Sequence, residues 1–334
     1  MSRLESAIDA MANERAFSGV VSVDRGGEIE FAKAYGLAHR SYGVANTVAT
    51  RFAIASGGKG LTALAVVSLI DDGTLKLSTT ARSILGSDLP LIDDGVTVEH
   101  LLAHRSGIGD YIDEDGDLEI TDYPPVSVHQ LAETEQFLGW IDGYPTKFAP
   151  GERFSYCNGG FIVLALLAER ASGVTYHDLV RQRVCAPADL HDTEFLRSDE
   201  LPERTATGYL PIDGVSRTNV FHLPVLGNGD GGIYSTVADF STFWPAFFAG
   251  KIVPTAWVAE MVKPRSEVPS ESMRYGLGFW LHESTDAVIL IGFDAGVSFK
   301  SVHDPGSGLT HTVISNTSDG AWPITREVAS LLAG

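Results

Sequence analysis

Cysteine is scarce in this chain, with only Cys157 and Cys185 among 334 residues. Two thiols cannot build a disulfide framework or a thiolate metal centre by themselves, so both are expected as buried free thiols of a reducing compartment. Positive charge is short too: 24 Lys and Arg stand against 43 Asp and Glu, a formal charge of −19 with no basic stripe to offset it. That field repels a phosphate backbone, and no nucleic-acid partner is expected. Long apolar runs are missing. A membrane span needs roughly 18 apolar residues, and the longest candidates here, around 63–70 and 161–168, have the length and flanks of core helices. Residues 1–10 carry acids among their apolar positions instead of a signal core. The expectation is no membrane partner and a cytoplasmic location. The chain also lacks His-Glu-x-x-His, Gly-x-Ser-x-Gly and any Gly-x-Gly-x-x-Gly that follows a strand. Those absences argue against a zinc peptidase, an ordinary α/β-hydrolase and a dinucleotide fold, and no metal or cofactor is expected.

What is present belongs to a folded chain, 44% apolar and 9% aromatic. Residues 4–17 read as an amphipathic helix, and 19–24 and 28–35 as a hairpin turning at Arg25-Gly26-Gly27. A helix containing Lys59 is predicted to stop at Gly73. From 75 to 225 the pattern is mainly helical, at 98–104, 128–138, 160–170 and 176–185. The last hundred residues mix helices at 237–248, 254–261 and 323–332 with extended runs at 275–281, 287–291, 297–302 and 310–315. This order predicts an α+β fold, with one antiparallel sheet built from both ends of the chain and flanked by helices. The expected division is a discontinuous α/β domain, 1–74 and 226–334, around a mainly helical subdomain, 75–225, with the site in the cleft between them.

Ser56 and Lys59 open the apolar segment that follows Phe52-Ala-Ile-Ala55. Residues three apart share a helix face, so an alcohol and a possible proton acceptor are brought together. Gly57 and Gly58 between them suggest close substrate approach to the backbone. Tyr156 and Asn158 share a side if their segment is extended, with the phenol as a proton relay and the amide orienting the lysine or a substrate carbonyl. His100 and His104 have metal-ligand spacing but lack a third ligand in sequence, and read as a structural pair. His303 reads as part of a hairpin tip. The run Gly227-Asn-Gly-Asp-Gly-Gly232 lacks the Lys-Ser/Thr of a phosphate cradle and reads as a lobe-joining loop.

Taken together, these blocks resemble a known superfamily. The stretch 52–62, Phe-Ala-Ile-Ala-Ser-Gly-Gly-Lys-Gly-Leu-Thr, resembles the nucleophile motif of serine β-lactamases and penicillin-binding proteins, more specifically of the class C β-lactamase, DD-peptidase and esterase branch. Residues 97–108, 150–158, the end of the helix at 170–173, 229–236 with Asp239 and Phe240, and 296–316 are similar to further family blocks in the expected order. The resemblance implies a β-lactamase/transpeptidase-like fold. It makes Ser56 the acyl-forming nucleophile, Lys59 its base partner, Tyr156 the relay phenol and Asn158 the group that positions Lys59 or substrate. Counting back from Gly296 and Ser298 puts the family's Lys/His-x-Gly strand block at Leu290-Ile291-Gly292. Leu290 then stands where a cation or polar group is usual, and the N–H of Phe293 joins that of Ser56 as oxyanion donor. The implied activity is a serine hydrolase forming an acyl-enzyme on a small ester, amide or lactone, with small-molecule ester, amide or lactam substrates as partners. The alternatives are a β-lactamase or D-Ala-D-Ala carboxypeptidase, and a catalytically silent binding protein of the same fold.

Overall fold

The structure, a computed structural model, describes residues 3–112 and 119–333. Residues 1, 2 and 334 of the expected α/β domain and 113–118 of the expected helical subdomain lie outside the described residues. Strands β1 (Gly19–Arg25) and β2 (Glu28–Tyr35) form the predicted hairpin. Its turn places Gly26 and Gly27 at φ of 61° and 86°, where glycine carries no side-chain penalty. The remaining strands of the main sheet are β3 (Ser266–Val268), β4 (Met273–Tyr275), β5 (Trp280–His282), β6 (Val288–Asp294), β7 (Val297–Asp304) and β8 (Leu309–Ser315). The sheet order is β2-β1-β8-β7-β6-β5-β4-β3. Gly19 lies opposite Ser315 and Arg25 opposite Leu309, so the two ends of the chain meet inside one antiparallel sheet.

Helices α1 (Arg3–Glu14) and α5 (Ala321–Ala333) cover one face through Ile8, Val21, Val313, Ile324 and Val328. On the other face helix α2 (Lys59–Asp71) packs against Leu290 of β6, and α3 (Asn158–Ser172) packs behind α2. Both helices are buried over most of their length, α2 from Lys59 through Leu69 and α3 from Asn158 through Ala168. A helix apolar all round belongs to the interior, and the first residues of both helices are carried inside with it. Helix α4 (Val237–Phe248) adds Phe243, Trp244 and Phe247 to the same core. Among the described residues no helix is long and apolar enough to cross a membrane.

Some elements differ from the predicted ones. The extended run 275–281 is two strands, because Gly276 donates to the Phe279 carbonyl in a tight turn whose Leu277 and Phe279 are buried and so look like strand interior. The pattern at 128–138 resolves into 3-10 turns Val128–Gln130 and Thr134–Phe137 and the single turn Leu138–Ile141. At 176–185 the α-helix Tyr176–Val180 runs into a π turn, Arg181–Cys185. The helical stretch also holds a hairpin, Tyr209–Ile212 with Val215–Thr218, turning on Asp213-Gly214 at φ of 51° and 75°. That dipeptide is a hairpin signal in its own right. His303 is buried inside β7 against Trp244, so the hairpin tip begins only at Asp304.

Candidate active site

Ser56 sits on a 3-10 turn, Ala55–Gly58, that feeds α2, instead of in the first α-helical turn. The residue before it, Ala55, takes a left-handed φ of 46°, a strained conformation of the kind that surrounding structure must hold in place. One turn on, Lys59 Nζ stands 2.9 Å from Ser56 Oγ, as the spacing predicts. The glycines between them have another reason than access. Both are buried; a Cβ on Gly57 would lie 2.4 Å from the Phe299 ring, so packing beneath the turn requires that glycine, while one on Gly58 would press on Ile233 at 3.1 Å.

Lys59 is 2% exposed, and its Nζ also donates to Asn158 Oδ1 at 2.8 Å and to the Asp230 carbonyl at 2.6 Å. An ammonium fills all three acceptors. A neutral amine keeps two N–H groups for the two fixed oxygens and turns its lone pair to the Ser56 hydroxyl. The geometry therefore serves both the resting and the proton-accepting form. Tyr156 flanks the same nitrogen, with Nζ 5.1 Å from its ring centroid. Trp280 stacks on the phenol ring at 6.0 Å and His104 lies 4.2 Å away. Ser56, Lys59, Tyr156 and Asn158 thus converge.

Asp230 escaped the sequence reading. The glycine run 227–232 forms a wedge between α3 and the Ser56 turn. A Cβ on Gly229 would lie 2.1 Å from the Phe161 carbonyl oxygen, and one on Gly231 2.8 Å from the Ala55 carbonyl. Only bare backbone fits there, and it delivers the Asp230 carbonyl to Lys59. The Asp230 carboxylate accepts from the Tyr111 hydroxyl, whose pKa is raised well above its usual value by burial and then by Asp230 and Asp110. His100 lies apart from this cluster; its Nδ1 accepts the Thr97 N–H in a capping box.

Strand β6 closes the site. A Cβ on Gly292 would lie 1.9 Å from the Ile54 carbonyl oxygen and 3.0 Å from the Gly57 nitrogen, so the strand rests directly on the nucleophile's turn. The register with β5 covers only Val288 and Ile289, which leaves the edge beyond them outside that ladder. Phe293 is 46% exposed and its ring lies 6.2 Å from Trp322 on α5, so its backbone, not its side chain, is what adjoins the turn. Leu290 is 2% exposed and packs against Gly60 of α2, beneath the site. It is a core residue here and lines no open surface.

Strand alternation puts Asp294 on the same face as Leu290 and Gly292. Its Oδ1 accepts the Ala295 N–H at 2.8 Å. Desolvation, helped by the charge of Asp230 and opposed by Lys59, raises its pKa to about 7. An acid whose folded pKa lies above its unfolded value destabilises the fold as it ionises, so its cost appears as pH climbs from about 4 to 7. Asp294→Asn is therefore expected to flatten the fall in melting temperature between pH 5 and 8. Melts of both proteins across that range check it, and parallel curves would refute it. Gly292→Ala should lower stability by about 3 kcal/mol in urea unfolding and displace the Ser56 turn, because no rotamer relieves a Cβ overlapping a backbone oxygen.

A serine hydroxyl, a buried amine one turn on and a phenol beside them, set where a buried helix meets the sheet, are the groups that active-serine chemistry needs. The chain belongs to the Beta-lactamase family, whose pattern matches residues 4–331. It is similar to the crystal structure of a penicillin binding protein from Bacillus halodurans, at 32% identity and a TM-score of 0.91 over 97% of this chain and 99% of that one. Penicillin-binding protein 4* of Bacillus subtilis is 26% identical over 309 residues, 88% of this chain and 66% of the relative. Esterase EstB of Burkholderia gladioli is 34% identical over 217 residues, 62% of this chain and 54% of the relative. The chain thus spans about half to two thirds of the length of these curated relatives.

Proposed function

We propose that the protein is a serine hydrolase working by acyl transfer on a small, uncharged ester, amide or lactone carbonyl. The observation that carries this is the Lys59 nitrogen 2.9 Å from Ser56 Oγ with its two other acceptors fixed. Lys59 takes the hydroxyl proton as Ser56 attacks the carbonyl carbon. The N–H groups of Ser56 and Phe293 hold the oxyanion. Tyr156 passes a proton to the leaving group, and water then attacks the acyl-enzyme, the same groups running in reverse. The preference for an uncharged substrate follows from Leu290, which is buried and supplies no cation on this strand, and from the Asp230 carboxylate, whose residue adjoins Lys59 through its carbonyl. We further propose the class C β-lactamase, DD-peptidase and esterase branch, on the Tyr-x-Asn block. A second reading, capture or hydrolysis of β-lactams, is favoured by the likeness to the Bacillus halodurans protein. Intact mass after exposure to a fluorophosphonate, a β-lactam and short p-nitrophenyl esters separates them. A single adduct from the first and third, with none from the β-lactam, supports the esterase reading; a stable β-lactam adduct supports the other. No adduct from any of them would leave a silent binding protein.

A further inference from the structure

We propose that His104 and Asp110 are the positioning residues of this site, gripping the backbone on both sides of Tyr156 and at the start of α3. The inference deepens the hydrolase reading and rests on it for its effect on rate. The N–H groups of Ser155, Cys157, Asn158 and Gly159, which flank the relay phenol, each have a named acceptor. The His104 carbonyl accepts Ser155 N–H at 2.9 Å, and its Nδ1 accepts Cys157 N–H at 3.1 Å. Asp110 Oδ2 accepts Asn158 N–H at 2.5 Å and Oδ1 accepts Gly159 N–H at 2.8 Å. The N-cap residue of α3, Cys157, makes no side-chain cap bond of its own, so a carboxylate 48 residues away supplies the cap.

Stability alone would not choose these groups. His104 is 1% exposed, enclosed by the rings of Tyr156, Phe154, Phe161 and Tyr275, and a phenylalanine would suit that surface. With Nδ1 accepting, the proton sits on Nε2, which finds no hydrogen-bond partner among the described residues. Its backbone also holds a left-handed φ of 52°. A strained residue with an unpaired polar atom is retained for what its other nitrogen does. Burial and the nearby Lys59 charge push the imidazole pKa well below its usual value, so the ring stays a neutral acceptor. Asp110 is likewise buried and spends its oxygens on backbone N–H groups.

The decisive comparison is His104→Phe, which keeps a ring and removes the acceptor, against His104→Asn, whose Oδ1 can stand near the place of Nδ1. His104→Phe is expected to fold, to lower kcat on a p-nitrophenyl ester about 10- to 100-fold and to change KM less than about twofold. His104→Asn should recover most of that kcat despite a lower melting temperature. Asp110→Asn, with one acceptor oxygen fewer, should lose kcat like His104→Phe. Amide hydrogen exchange read at residues 155–159 stands apart from activity: protection of Cys157 N–H should vanish in His104→Phe and persist in His104→Asn. Rates that follow ring volume instead of the acceptor, or unchanged exchange in His104→Phe, would overturn the proposal. A wild-type protein inert to every ester, with the exchange pattern as expected, would strike down the hydrolase reading and leave the clamp.

Discussion

Ser56→Ala is expected to abolish the fluorophosphonate adduct and to lower kcat/KM on p-nitrophenyl esters by about 10^4-fold or more. The size follows from what Oγ does. In the proposed mechanism it is the atom that bonds to the carbonyl carbon, and Lys59 Nζ lies 2.9 Å from it at the head of a turn that packing holds in one shape. Without it Lys59 and Tyr156 have no hydroxyl proton to move. The fold should tolerate the change. Lys59 keeps the Asn158 and Asp230 acceptors, and one hydrogen bond is worth about 1 kcal/mol. A melting temperature within a few degrees of wild type, with labelling lost, is the expected pair of results. An adduct that persists at wild-type rate in Ser56→Ala would move the nucleophile elsewhere and end the present assignment.

The part of this site that the sequence carried is the part that lies within one helical turn. Ser56 and Lys59 meet because three residues along a helix bring side chains together, and nothing distant is needed to know it. Tyr156 and Asn158 are close in sequence as well, although the segment is not simply extended, since Asn158 already opens α3. The partners that complete the site are distant: the Asp230 carbonyl lies 171 residues from Lys59, and His104 lies 53 from Cys157. A backbone carbonyl has no side-chain signature, and a glycine that admits it looks like any loop glycine. Gly229 and Gly231 show the difficulty, because their reason is the atom a Cβ would strike. The sheet was legible for a similar reason of locality. Apolar and β-branched runs bounded by turn residues mark the longer strands, whereas the short strand Ser266–Val268 carries no such run and the Gly276–Phe279 turn is hidden by buried apolar residues. Leu290 marks the limit of counting. Position in the strand follows from the sequence, but whether its side chain reaches open space depends on how deeply α2 packs behind it.

Lys59→Met tests whether the buried amine is there for chemistry or for packing. Methionine keeps the length and apolar stem and removes every polar contact of Nζ. Two acceptors, Asn158 Oδ1 and the Asp230 carbonyl, lose their donor, which costs about 1–3 kcal/mol each where water cannot reach them. The apolar side chain recovers part of that by sparing the burial of an amine, but the acceptors it leaves behind stay unpaired. The variant is therefore expected to fold with a lowered melting temperature. Its acylation rate is expected to fall by about 10^3-fold or more, since the hydroxyl loses its proton acceptor and Asn158 its anchor. Lys59→Arg should be equally inactive, because a guanidinium stays protonated and cannot take the Ser56 proton. Stopped-flow release of p-nitrophenol, with intact mass to follow the adduct, measures both. If the methionine variant acylates as fast as wild type, the proton goes to another group and the role given to Lys59 falls, whatever the distance to Ser56.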